Sequence, residues 1–165
     1  NTILQDSYKT IDTKENEISN LNTILQNKGK LLTIKENLLN FQNHYGKAKT
    51  RIQNQLSYKL GQALIINSKS VLGFLSLPFI ILSIIISHKQ EQKAYKIKIK
   101  KNPNLILPPL ENYPDYQEAL KEKECFTYKL GEALIKANKT WYKGGYLKFY
   151  FKDIPKLKRD FRQKR

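Results

Sequence analysis

The sequence predicts an all-α chain: a long N-terminal helix, then two duplicated helical hairpins joined by a proline-rich linker. Three observations predict it. A nine-residue motif occurs twice, Leu and Ile recur at seven-residue spacing through the first third, and four of the six prolines fall within Asn102–Pro114, between the motif copies. The first copy is SYKLGQALI at Ser57–Ile65 and the second is TYKLGEALI at Thr127–Ile135. The likeness runs on from Ser68-Lys69-Ser70 to Asn138-Lys139-Thr140. Such a duplication repeats one supersecondary element, each copy burying the other's apolar face. Both copies keep packing residues and neither keeps a catalytic set. Gly61 and Gly131 hold the same place in the motif. Inside a helix a glycine costs about 1 kcal/mol of propensity, so its double occurrence predicts the close approach of another helix.

Residues 1–56 read as one helical spacer. Leu4, Ile11, Ile18, Leu25, Leu32 and Leu39 form one heptad row, and Ile24, Leu31 and Leu38 run beside it. From Leu31 the spacing becomes the three-four alternation of a coiled coil, through Ile34, Leu38, Phe41, Tyr45, Ala48 and Ile52. Leu31, Ile34, Leu38, Phe41, Ala48 and Ile52 therefore form a candidate oligomer seam. Asp6, Thr13, Asn20 and Asn27 spoil the seam further up, and Gly29 interrupts it. A homo-oligomer through this helix and a helix folded back on the module fit the pattern equally.

Residues 57–165 form the duplicated module, with repeats near 57–88 and 116–165 and a linker over 89–115. Val71–Ile86 carries no charge, and at 16 residues it is shorter than the roughly 20 that span a bilayer. Its expected place is the core; contact with a membrane is the other reading. Pro78 is expected to open a helix Phe79–His88, and Lys96–Lys100 alternates as a short strand or extended arm. NPNLILPPLENYP, Asn102–Pro114, excludes a regular helix. Asp115 and Glu118 resemble a capping box for a helix Tyr116–Ala137. An aromatic segment Trp141–Lys152 turns at Gly144-Gly145. Ile154-Pro155 then opens a basic last helix, matching Leu77-Pro78 of the first copy.

The net charge is +16, from 30 basic and 14 acidic residues, and more than half of the excess falls in 126–165. That balance attracts anionic lipid, acidic glycan or nucleic acid without choosing among them. Trp141, Tyr142, Lys143, Tyr146, Lys148, Lys152, Lys156, Lys158, Arg159, Arg162 and Arg165 mix aromatic rings with cations. This is a candidate surface for lipid headgroups or a glycan, or else core aromatics beside a solvated basic helix. Nucleic acid is the least supported partner, because no nucleic-acid fold motif accompanies the charge. A lone Cys125 excludes an internal disulfide framework and suits a reducing cytoplasmic setting. His44, His88 and the Glu118–Glu124 cluster read as solvated. No catalytic, cofactor-binding or metal-binding residue is expected. The chain begins at Asn1 rather than Met, which predicts a piece of a longer protein.

RIQNQLSYKLGQALIINSKSVLGFLSLPFIILSIIISHKQEQKAYK and KKNPNLILPPLENYPDYQEALKEKECFTYKLGEALIKANKTWYK resemble the C-terminal extension of the Campylobacter α-2,3-sialyltransferase family. A similar tail follows other surface-glycan transferases of that genus. The resemblance runs from about Ala48 to Arg165; residues 1–47 stand outside it. It implies a non-catalytic accessory module of a lipooligosaccharide or capsule glycosyltransferase that uses a CMP-N-acetylneuraminate donor. It implies a location peripheral to the cytoplasmic face of the inner membrane, near a lipid-linked acceptor. The family's nucleotide-sugar domain has no counterpart here, so no catalytic residue carries over. A free-standing basic interaction protein or a nucleic-acid-binding protein is the rival from another class.

Overall fold

The computed structural model describes residues 2–163, and among them there is no strand. The all-α class holds. The chain divides into two compact units, Asn1–Tyr45 and Gly46–Arg165.

The first unit is helix α1, Thr2–Tyr45. It contains no proline, and its hydroxyl side chains turn back onto its own carbonyls: Ser7 to Ile3, Thr10 to Asp6, Thr23 to Ser19 and Thr33 to Gly29. It ends at Gly46, whose φ of 76° lies in the left-handed region that glycine adopts without strain. The helix expected to reach residue 56 thus stops at Tyr45. This corrects the seam. Ala48 and Ile52 sit on a separate helix and are completely buried inside the second unit. Leu31, Ile34 and Leu38 remain on α1 and are exposed, while Phe41 stacks 4.9 Å from Tyr45.

The second unit contains α2 (Ala48–Gln53), α3 (Leu56–Asn67), α4 (Val71–Lys101), α5 (Tyr116–Glu124), α6 (Phe126–Lys139), α7 (Gly145–Lys148) and α8 (Ile154–Gln163). Its organising contact is α3 against α6, the two motif helices. A Cβ on Gly61 would strike the Thr127 carbonyl and come within 3.1 Å of the Gly131 nitrogen. Reciprocally, a Cβ on Gly131 would strike the Ser57 carbonyl and come within 3.0 Å of the Gly61 nitrogen. Residue i of one copy meets residue j of the other, and j meets i, as at a two-fold interface. Leu60, Leu130, Leu134, Ala137 and Phe149 form the core beside this crossing, with Ile81, Ile84 and Ile85 of α4 packed on it.

The duplication reaches further upstream than the motif. α2 packs on α5, and each copy breaks at the same point before its motif helix. The Gln55 N–H donates to the Ile52 carbonyl at 3.0 Å, and the Cys125 N–H to the Glu122 carbonyl at 3.4 Å. Cys125 is half-buried and its Sγ accepts from the Tyr128 N–H at 3.4 Å, so the expected single helix Tyr116–Ala137 is two helices capped at their junction. Asp115 does not cap α5. Its carboxylate accepts the N–H groups of Ala48 (3.0 Å) and Lys49 (3.2 Å), capping α2 from the other copy. Lys49 pairs with Glu122 at 2.9 Å, and Gln53 also donates to Glu122. Against the cost of partial burial, those hydrogen bonds hold the Glu122 carboxyl below the usual range. The bond to Glu122 likewise raises Lys49.

After the motif helices both copies turn back tightly, the second through the additional 3₁₀ turn Trp141–Lys143 and the left-handed Gly144. A Cβ on Gly73 would collide with the Asn67 carbonyl and Ser70 Oγ; one on Gly145 would collide with the Ala137 carbonyl and Thr140 Oγ1. Four residues on, Leu77 and Phe149 are both buried. Gly73–Leu77 therefore matches Gly145–Phe149, and the expected pairing of Leu77-Pro78 with Ile154-Pro155 is replaced. Pro78 lies inside α4, which continues unbroken through Lys96–Lys100 to Lys101, so neither a helix start at Phe79 nor a strand exists there. Pro78 lacks the N–H that would donate to the Phe74 carbonyl, and both residues are exposed, so that carbonyl is not sealed inside the core. In the second copy the chain stays helical from Gly145 to Gln163, with a π turn Phe149–Asp153 ahead of Pro155.

Candidate membrane-facing surface

Helix α4 sorts its residues with a three-four rhythm. Leu77, Ile80, Ile81, Ile84, Ile85 and His88 are buried or half-buried on the inner side. Leu72, Leu75, Phe79, Leu82 and Ile86 recur at the same rhythm on the other side and are exposed, Leu72 to 81 % and Phe79 to 76 %. That outer stripe runs about 21 Å at 1.5 Å per residue. Of the most apolar 18-residue window of α4, only 6 % is buried. Val71–Ile86 is thus not the core helix the sequence suggested. The space a core helix would fill is already taken by the α3–α6 crossing, and α4 contributes one face only.

The aromatic and basic residues of the second copy also face outward. Trp141, Tyr142, Lys143, Tyr146, Lys148, Lys152, Lys156, Lys158, Arg159 and Arg162 are exposed, together with Leu147, Tyr150 and Phe151. Trp141 and Tyr142 precede the αL residue Gly144, within the 3₁₀ turn Trp141–Lys143. Tyr146 is held by donating to Asn138 Oδ1 at 2.7 Å, and the Lys143 ammonium lies 5.5 Å from the Tyr142 ring. α8 turns Ile154, Leu157 and Phe161 inward, where Phe161 meets Phe126 edge-on at 5.5 Å, and so presents its cations to solvent. Arg165 lies outside the described residues.

Between α4, α6 and α7 runs an apolar groove of about 740 Å³. Leu60, Leu77, Ile81, Ile85, Leu134 and Ile135 line it, with Phe74, Leu82 and Tyr146 at the surface and the lysines Lys89 and Lys139 also along it. A second, polar cavity of about 600 Å³ separates α3 and α4 from the linker. There Lys59 pairs with Glu91 at 2.8 Å, Arg51 donates to the Pro108 carbonyl at 2.6 Å, and Tyr95 accepts the Leu107 N–H at 3.0 Å. Its polar groups fasten the linker turns Pro103–Leu105 and Leu110–Asn112 to the helices. His88, expected at the surface, is mostly covered in this cavity; its Nδ1 is buried and lies 3.9 Å from Glu91. Among the described residues no three His, Cys, Asp or Glu side chains gather to hold a metal ion.

The sequence signal for the stripe was present as the Leu72–Ile86 spacing, but an uncharged run reads the same whether it is covered or bare. The groove left no signal, because its walls come from both copies. Residues 2–163 match a family model described as a domain of unknown function, DUF8374. The chain belongs to this family. No curated protein and no solved structure shows significant similarity to this DUF8374 chain.

Proposed function

We propose that residues 46–165 are a non-catalytic accessory module that docks peripherally on an anionic membrane. The observation that carries this reading is the bare apolar stripe Leu72, Leu75, Phe79, Leu82 and Ile86 on a module with a strong basic excess. In the docked state the stripe enters the boundary between headgroups and acyl chains. Exposed Trp141, Tyr142 and Tyr150 suit the interfacial layer, and Lys156, Lys158, Arg159 and Arg162 meet anionic headgroups. The helix lies along the surface. Crossing would carry α3 and the Lys59–Glu91 pair packed on its inner side into hydrocarbon, where charged groups are costly.

The resemblance to the sialyltransferase extension supports the next step: the module serves a surface-glycan glycosyltransferase acting in lipooligosaccharide biosynthesis, holding it at the cytoplasmic face near a lipid-linked acceptor. Co-sedimentation with phosphatidylglycerol vesicles and with neutral phosphatidylcholine vesicles tests the membrane reading. Preference for the anionic vesicles is expected, each exposed cation adding about 1 kcal/mol and losing it as salt rises. Equal or absent binding to both overturns it.

A second reading concerns α1. Its Leu and Ile rows are exposed along the whole helix, and a seven-residue period is the pattern that keeps one seam facing a partner helix. We propose self-association through Leu31, Ile34, Leu38 and Phe41. Leu38→Asp should dissociate the assembly in light scattering, and a monomeric parent chain refutes the seam.

A further inference from the structure

We infer that the groove between α4, α6 and α7 holds one acyl chain of an anionic phospholipid drawn from the bilayer. The inference rests on the membrane reading above and adds a specific site to it. Three observations converge. The groove measures about 740 Å³, within the roughly 300–1,000 Å³ of ligand pockets. Its floor is aliphatic, from Leu60 and Leu77 to Leu134. Its mouth shares Phe74 and Leu82 with the exposed side of α4, so a lipid resting under the helix has a continuous apolar path into it.

Charge selects the occupant. Lys89 and Lys139 both line the groove, both are exposed, and neither has an ion pair among the described residues. Among the described residues no acidic side chain lines the groove. An apolar trough edged by two unpaired ammonium groups and no carboxylate complements a hydrocarbon tail with an anionic head. A neutral sterol or an uncharged apolar peptide helix would leave both lysines without use. The stripe and the groove are also separable: Leu72, Leu75, Phe79 and Ile86 belong to the stripe and do not line the groove, whereas Ile135 and Lys139 line the groove and lie on α6.

Calorimetric titration of the full chain with monomeric lyso-phosphatidylglycerol, below its micelle threshold and without vesicles, tests this. Saturable one-to-one binding is expected, tightening about fifteenfold for each two methylenes added to the chain. Lyso-phosphatidylcholine should bind more weakly. Ile135→Trp, which fills the groove, and Lys139→Glu should weaken lysolipid binding at least tenfold while vesicle co-sedimentation persists. Phe79→Asp should do the reverse. Absence of lysolipid binding with vesicle binding intact overturns the groove and spares the membrane reading. Loss of both in every variant, or binding without chain-length dependence, also overturns it. Photo-crosslinking of the unaltered chain by a lysolipid carrying a terminal diazirine avoids any folding defect: labels on Ile81, Leu134 or Ile135 are expected. Labels confined to the outer stripe, or a dimer that shields these residues from the probe, contradict the assignment.

Discussion

The two copies of the repeat share a scaffold and present different surfaces. Each has a short helix, a break, a motif helix with a contact glycine, and a turn closed by a second glycine, Gly73 in one and Gly145 in the other. Beyond that turn they part. The first copy continues as α4, whose uncharged first half, Val71–Ile86, carries a bare apolar stripe; the second continues as the aromatic and basic segment through α8. What the copies hold in common is what packs one against the other. What differs is what each shows to the outside, so surface chemistry diverged while the crossing stayed fixed. In the proposed docking on a membrane, one copy would supply apolar insertion and the other charge.

The shared part gives the largest expected effect. Gly61→Ala and Gly131→Ala place a methyl into a backbone carbonyl on the facing helix, where no rotamer can relieve the clash, so each should cost about 3 kcal/mol in thermal or denaturant unfolding. The two values should agree, because the contacts are reciprocal. A clear inequality would break the symmetry of the crossing. Gly29→Ala is the internal control: nothing approaches within 4 Å, and α1 should gain up to about 1 kcal/mol of helix propensity. Its helicity by circular dichroism should rise.

The differing parts give smaller, separable effects. Arg159→Glu or Arg162→Glu should reduce affinity for anionic vesicles about fivefold or more through the lost cation, with neutral vesicles little changed and melting temperature nearly constant. If either variant lowers binding to neutral vesicles equally, the division of labour between the copies fails. The pH dependence is smaller still. The Glu122 carboxyl is held below its ordinary value, so its contribution to stability is present above about 4.3 and is lost as pH falls through the folded value. Melting temperature should therefore drop on acidification below that point, and Glu122→Gln should flatten the drop.

Much of this architecture was legible in the residues. The repeated KLG core located the crossing, and the doubled glycine told of a close contact, because a propensity cost paid twice needs a steric cause. The break at Gln55 and Cys125 was not legible: the flanking helices α2 and α5 share little sequence, and Ile52 aligns with Glu122. Asp115 looked like a local cap because Glu118 follows at the right spacing, but a cap's partner is chosen by which N–H groups fold brings near, here those of Ala48 and Lys49. Gly46 hid the end of α1, since a heptad pattern carried on to Ile52 by coincidence of core residues on α2. Burial of Val71–Ile86 was the opposite failure. Composition sets how apolar a helix is, and only packing sets which face is covered.

Docking as proposed requires the outer face of α4 to meet lipid. A Trp141→Phe, Leu75→Trp chain carries one indole, within the stripe where the native leucine is 65 % exposed. Its fluorescence with phosphatidylglycerol vesicles should shift to the blue and be quenched by lipids brominated in the acyl chain. An emission that stays at the water-exposed wavelength, unquenched while the protein is bound to the vesicles, would contradict the stripe as the membrane-facing surface.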